Sequence, residues 1–139
     1  MIVRSFNFSK KRMLHHIALT VINPDEIRTF YEEVLLFSLR YKFSLDTIDL
    51  LKQLFNTKRQ TEVFVMKRQD VQLEIFIDPV REKRRFSHIC LEYWKSGMIF
   101  NRAVESGYRT WIKKNPDHLT YFIWDKSENL FEIKEVEES

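Results

Sequence analysis

The chain has 139 residues, 44% of them hydrophobic, with 23 Lys plus Arg against 20 Asp plus Glu and a net charge of +3. That length suits one domain or two small halves sharing a core, and the charge is too mild to argue for a nucleic-acid partner. One cysteine, Cys90, excludes an intramolecular disulfide and a CxxC metal knuckle, and two glycines, Gly97 and Gly107, exclude a Gly-rich phosphate loop.

Residues 1–13 read as a polar leader with no apolar stretch long enough for a signal peptide. No run approaches the ~18 apolar residues of a membrane span, so a soluble cytoplasmic protein is expected. Leu14–Val21 (LHHIALTV) reads as a buried strand. NPDE then predicts a helix start, with Asn23 as cap, Pro24 at the first helical position and Glu26 three residues after the cap. Ile27, Phe30, Tyr31, Val34 and Leu35 form one apolar helical face.

SLRYKF (38–43) is strand-like, and SLDTIDLLKQLF (44–55) predicts a second helix capped by Ser44 or Asp46. TEVFVMKR (61–68) and VQLEIFI (71–77) are strands joined by a tight QD turn. REKRR (81–85) reads as a solvated basic linker, with an anionic-ligand contact as the alternative. FSHICLEY (86–93) is a strand, KSGMIFNRAVES (95–106) a helix, and Gly107 suits a left-handed helix end. YRTWIKK (108–114), LTYFIW (119–124) and LFEIKEV (130–136) are three more strands, before an acidic tail, 137–139.

The order strand, helix, three strands thus occurs twice. HIALTV parallels HICLEY, and VQLEIFI parallels NLFEIKE. An internal duplication of a βαβββ unit of roughly 60 residues follows. The first module is 14–80, with the extra helix, and the second is 86–136. The expected fold is α+β: two tandem modules forming a curved mixed sheet, with helices outside and a cleft within.

Strand parity sorts the side chains, because neighbours point to opposite faces. Ile17, Leu19 and Val21 oppose His16, Ala18 and Thr20; Ile89, Leu91 and Tyr93 oppose His88, Cys90 and Glu92. Val71, Leu73, Ile75 and Ile77 oppose Gln72, Glu74 and Phe76, while Phe131 and Ile133 oppose Leu130, Glu132 and Lys134. Each copy therefore has one apolar face and a second face carrying one His and one Glu. His16, Glu74, His88 and Glu132 hold equivalent places, and this nitrogen and oxygen donor set suits a divalent ion: zinc, nickel, iron, manganese or cobalt. A metal there polarises a carbonyl, while Glu74 or Glu132 moves a proton at the neighbouring carbon. His15 has the opposite parity and reads as structural; His118, in NPDHL, reads as exposed.

The stretches HHIALTVINPDEIRTFYEEVLLF, VQLEIFI, FSHICLEY and YFIWDKSENLFEIKE together resemble the vicinal oxygen chelate superfamily, which includes glyoxalase I, bleomycin- and fosfomycin-resistance proteins, methylmalonyl-CoA epimerase and extradiol dioxygenases. The resemblance runs from about Leu14 to Glu135. It implies that His16, Glu74, His88 and Glu132 are the metal ligands, in a pattern most similar to glyoxalase I, with a small-molecule substrate. It also implies a homodimer in which each site takes ligands from both chains; Phe100, Trp111, Phe122 and Trp124 would permit an apolar interface. The family often has Gly where Leu36 and Glu128 stand here. The extra segment 44–60 would sit near the cleft mouth as a lid, with Phe76, Tyr93 or Trp94 near the cleft. The other function compatible with this reading is a ligand-sequestering module of the bleomycin-resistance type.

Overall fold

The computed structural model describes residues 14–80 and 87–136. The expected leader, basic linker and acidic tail lie outside the described residues. Eight strands follow in chain order: β1 Ile17–Val21, β2 Ser38–Leu45, β3 Thr61–Arg68, β4 Val71–Ile77, β5 His88–Tyr93, β6 Thr110–Lys114, β7 Leu119–Trp124 and β8 Leu130–Glu135. A π-helix spans Ile27–Glu32, α1 spans Ile48–Phe55 and α2 spans Ser96–Glu105.

The strands form two four-stranded sheets, ordered β1-β4-β3-β2 and β5-β8-β7-β6. In each, the first strand pairs parallel with the last, and the other pairings are antiparallel. The registers repeat as well: Ala18 faces Glu74 as Cys90 faces Glu132. Duplication thus extends from the sequence to the hydrogen-bond ladder. The mixed sheet is not one continuous curve, because β1 and β5 share no ladder and the pair stays open.

Parity sorts the faces as expected. Val21, Leu73, Ile75, Leu91, Tyr93, Phe131 and Ile133 are buried with Phe30, Tyr31, Ile99 and Ala103 in one cluster drawn from both modules. The helix-bearing faces therefore meet in a shared core, which removes the largest apolar areas from water. Phe30 lies 5.7 Å from Phe131 and 4.8 Å from Tyr108, ring centre to ring centre, so the first module's helix packs on the second module.

Four local expectations change. The first helix is wound as π, and Glu26 makes no capping box with Asn23; it is buried and accepts Tyr108 O–H at 3.0 Å and the Lys126 N–H. Asn23 Oδ1 instead accepts the Asp25 N–H at 2.9 Å. Ser44 and Leu45 extend β2, so α1 begins after Thr47 without a side-chain cap. β1 begins at Ile17, leaving His16 just before the strand. Gly107, at φ 80°, ends α2 in the left-handed region as expected. Leu36 and Glu128, the two positions where the resemblance implies glycine, also take positive φ, at 62° and 69°.

Candidate metal-binding faces

The face opposite the core carries the proposed donors. In the first module His16 Nδ1 lies 3.4 Å from Glu74 Oε2, and in the second His88 Nε2 lies 3.7 Å from Glu132 Oε1. The histidine side chains are 38% and 46% exposed and both glutamates 19%, so the donor atoms are reachable from solvent. β1 and β5 bring each His beside the parallel partner strand that holds its Glu. Within one chain the two pairs remain apart: among the described residues no three His, Cys, Asp or Glu side chains group as metal ligands.

The spacing tests whether each pair suits an ion. Neighbouring ligands at about 2.0–2.2 Å from a metal stand roughly 3.0–3.5 Å from each other. His16–Glu74 already has that separation and His88–Glu132 needs only a small closure. Each pair fits as half of a ligand set.

The half-sites differ in their surroundings. Lys134 Nζ lies 3.6 Å from Glu132 Oε2, while the equivalent place beside Glu74 is held by Phe76. The second module's face adds an aromatic floor, Trp111 against Phe122 at 5.7 Å, with the Arg109 guanidinium 4.0 Å above the Trp124 ring. Trp111 is exposed, whereas Phe100 stacks on Tyr121 at 4.8 Å. Cys90 shares this face; burial pushes its thiol up, with Glu132 adding to the effect, so it stays protonated at neutral pH.

His15 is exposed, yet its Nδ1 lies 3.0 Å from His16 Nδ1, so it shares the nitrogen that Glu74 approaches. Parity alone could not have found this contact, because it arises where the chain has not yet entered the strand. His118 is exposed and pairs with Asp117 at 2.7 Å. Tyr93 lies in the core and not at the cleft, its hydroxyl donating to Leu35 O, and Trp94 is exposed beyond β5. Arg68 is held at the junction of the modules, over the Tyr93 ring at 4.9 Å and donating to Leu36 O at 3.3 Å.

α1 lies across the first module's donor face. Leu51 is fully buried, and Phe55 meets Phe76 at 5.5 Å between ring centres. Beneath the helix is a cavity of about 400 Å³, floored by Ala18, Thr20 and Phe76.

Two βαβββ units, each with its first and last strands parallel, give the chain the fold that the sequence resemblance implied. Solved structures with that fold superpose on the chain. A glyoxalase family protein from Enterococcus faecalis matches at 17% identity and TM-score 0.67, over 88% of this chain and 96% of its own. The fosfomycin resistance protein FosX from Listeria monocytogenes matches at 14% identity and TM-score 0.70, over 91% and 95%. A glyoxalase family protein from Bacillus cereus matches at 13% and 0.69, over 90% and 95%. A variant of the Listeria FosX, solved with Mn(II) and 1S,2S-dihydroxypropylphosphonic acid, matches at TM-score 0.70 and 14% identity. No protein-family model matches the sequence, and no curated protein matches it, so the likeness is carried by the fold. No helix among the described residues is long and apolar enough to cross a membrane.

Proposed function

We propose that the chain is a metal-dependent enzyme of the glyoxalase type, which moves a proton at a carbon next to a carbonyl of a small molecule. The observation that carries this reading is the pair of matched His/Glu half-sets, with His and Glu 3.4 and 3.7 Å apart at their nearest donor atoms, on an open sheet face. His16 and Glu74 of one chain, with His88 and Glu132 of a second copy, would complete the donor set. A divalent ion held there would act as a Lewis acid toward the carbonyl oxygen.

The chain's own residues supply the rest. Glu132 or Glu74 accepts the proton at a carboxylate oxygen and returns it to the neighbouring carbon. Lys134 sets a positive charge beside Glu132 and favours negative charge developing on the substrate oxygen. Phe122, the cross-strand neighbour of Glu132, and Trp111 beside it offer the substrate an aromatic surface next to the second module's half-site. The mixed donor set is compatible with zinc, nickel, iron, manganese or cobalt. Manganese in the FosX complex, beside a ligand with adjacent oxygens, supports this choice of ions and substrates.

Metal analysis of protein purified without chelator tests the proposal. Bound divalent metal in the native chain, lost in the His16→Ala/Glu132→Ala double variant, is the expected result; native protein that takes up no metal on loading with any of the five ions would sink it. The exposed aromatic face favours one second reading, a module that sequesters a small molecule without turnover. Exchange of a substrate α-proton with solvent deuterium separates the two, since sequestration alone gives none.

A further inference from the structure

The cavity under α1 belongs to the first module alone, because β6 and β7 are joined by the short turn 115–118 with no helix. Its floor continues the donor face: Ala18 and Thr20 stand two and four residues beyond His16, and Phe76 two beyond Glu74. At about 3.3 Å per residue, the floor lies roughly 7–13 Å along the strand from the His/Glu pair. Leu51 and Phe55 roof it. One wall is the ion pair of Arg59 Nη1 with Asp78 Oδ1, and the same carboxylate oxygen accepts the Val80 N–H at 3.0 Å.

We infer that this cavity is the specificity pocket for an uncharged, apolar end of the substrate, a phenyl or branched alkyl group. Its volume of about 400 Å³ is that of a small-molecule site. An aromatic ring entering it meets Phe55 and Phe76, whose tilted arrangement accepts a further ring at its edge. A charged tail meets Arg59 and Asp78, which already pair with one another, so neither offers it an uncompensated counter-charge. The distance along β1 lets one molecule set adjacent oxygens at His16 and Glu74 with its apolar end under α1. The orientation rests on the proposed ligand role of that pair; the pocket itself does not.

Three probes test this on the full chain: 3-phenylpropane-1,2-diol, its ring 4-carboxylate, and propane-1,2-diol. Calorimetry gives affinity, and carbon-13 methyl spectra of Ala18 and Leu51 report location. The phenyl diol is expected to shift both methyls and to bind at least tenfold tighter than either comparison probe. Phe55→Ala should remove most of that advantage. Ala18→Trp should fill the floor and abolish binding, with an unchanged circular dichroism spectrum as the folding control. Asp78→Asn leaves the Arg59 charge unbalanced and should reverse the preference, so that the carboxylate binds better. Equal affinity for the phenyl and carboxylate probes, or phenyl binding that survives Ala18→Trp, would overturn the inference. Metal content is read separately: phenyl selectivity in a chain that takes up no metal supports the pocket and removes only the enzymatic reading.

Discussion

Glu128 carries a residue-scale cost in its backbone. An L-residue at φ 69° crowds its Cβ against the backbone, a penalty of about 1–2 kcal/mol that glycine avoids. The side chain is exposed, so little is lost by deleting it. Part of the gain is offset by the greater freedom of glycine in the unfolded chain. Glu128→Gly should therefore stabilise the fold by about 0.5–1 kcal/mol, read as a higher urea midpoint at unchanged slope. Leu36→Gly should do the opposite. Leu36 packs against the core, and the packing it loses exceeds the strain it relieves. The same residues show why sequence foretells geometry unevenly. The absent glycines were legible as a departure from the family pattern, yet the backbone keeps its turn without them.

At the scale of elements, the sequence specifies strands more sharply than helices, for a physical reason. A period of two is unambiguous, so Leu73, Ile75, Phe131 and Ile133 could be assigned to the core from the sequence. The spacing of Ile27, Phe30, Tyr31, Val34 and Leu35 serves an α-helix and a short π-helix alike over so few turns. Tyr93 was misplaced at the cleft although its own parity put it in the core. Parity also reports a face and not a distance, so the separation of the two His/Glu pairs within one chain is implied by the family resemblance and not by the strand pattern.

The start of α2 gives an element-scale prediction. Glu135 accepts the Lys95 and Ser96 N–H groups at 2.8 and 2.9 Å and the Ser96 hydroxyl at 2.9 Å. These bonds, the backbone ones first, hold its carboxyl below the usual carboxylate range of about 4.3. A depressed pKa means stability that is present above the unfolded value and lost as pH falls through the folded one. Acidification from pH 6 to pH 3 should thus loosen the start of α2. Glu135→Gln should begin less stable and show a shallower loss over that range, followed by urea unfolding at each pH; parallel curves for the two proteins would remove Glu135 from the account.

For the whole molecule, the open sheet pair makes a prediction about pairing of chains. If each metal site joins the first module of one chain to the second module of its partner, two crippled chains can rescue each other. His16→Ala/Glu74→Ala and His88→Ala/Glu132→Ala chains should each bind no metal alone. Mixed and reassociated, the heterodimer has one site with all donors intact and one with none. It should hold one ion per dimer, measured after separation on differential tags. A mixture that stays metal-free would show that the donors do not meet across a dimer.

The contacts that join the modules govern which half can pair with which. On one side the turn before β8 brings buried Asp125, accepting Tyr31 O–H at 2.9 Å, and Asn129, donating to Thr20 O at 2.9 Å. On the other side Arg68, the last residue of β3 before the matching turn, is set over Tyr93. The two halves, alike in strand order, hold unlike keys, one acidic and one basic. Residues 14–80 and 87–136, produced as separate polypeptides, should therefore find each other and not themselves, as mixed pairs by native mass spectrometry. Unlike keys on the two halves make the union specific to one half of each kind.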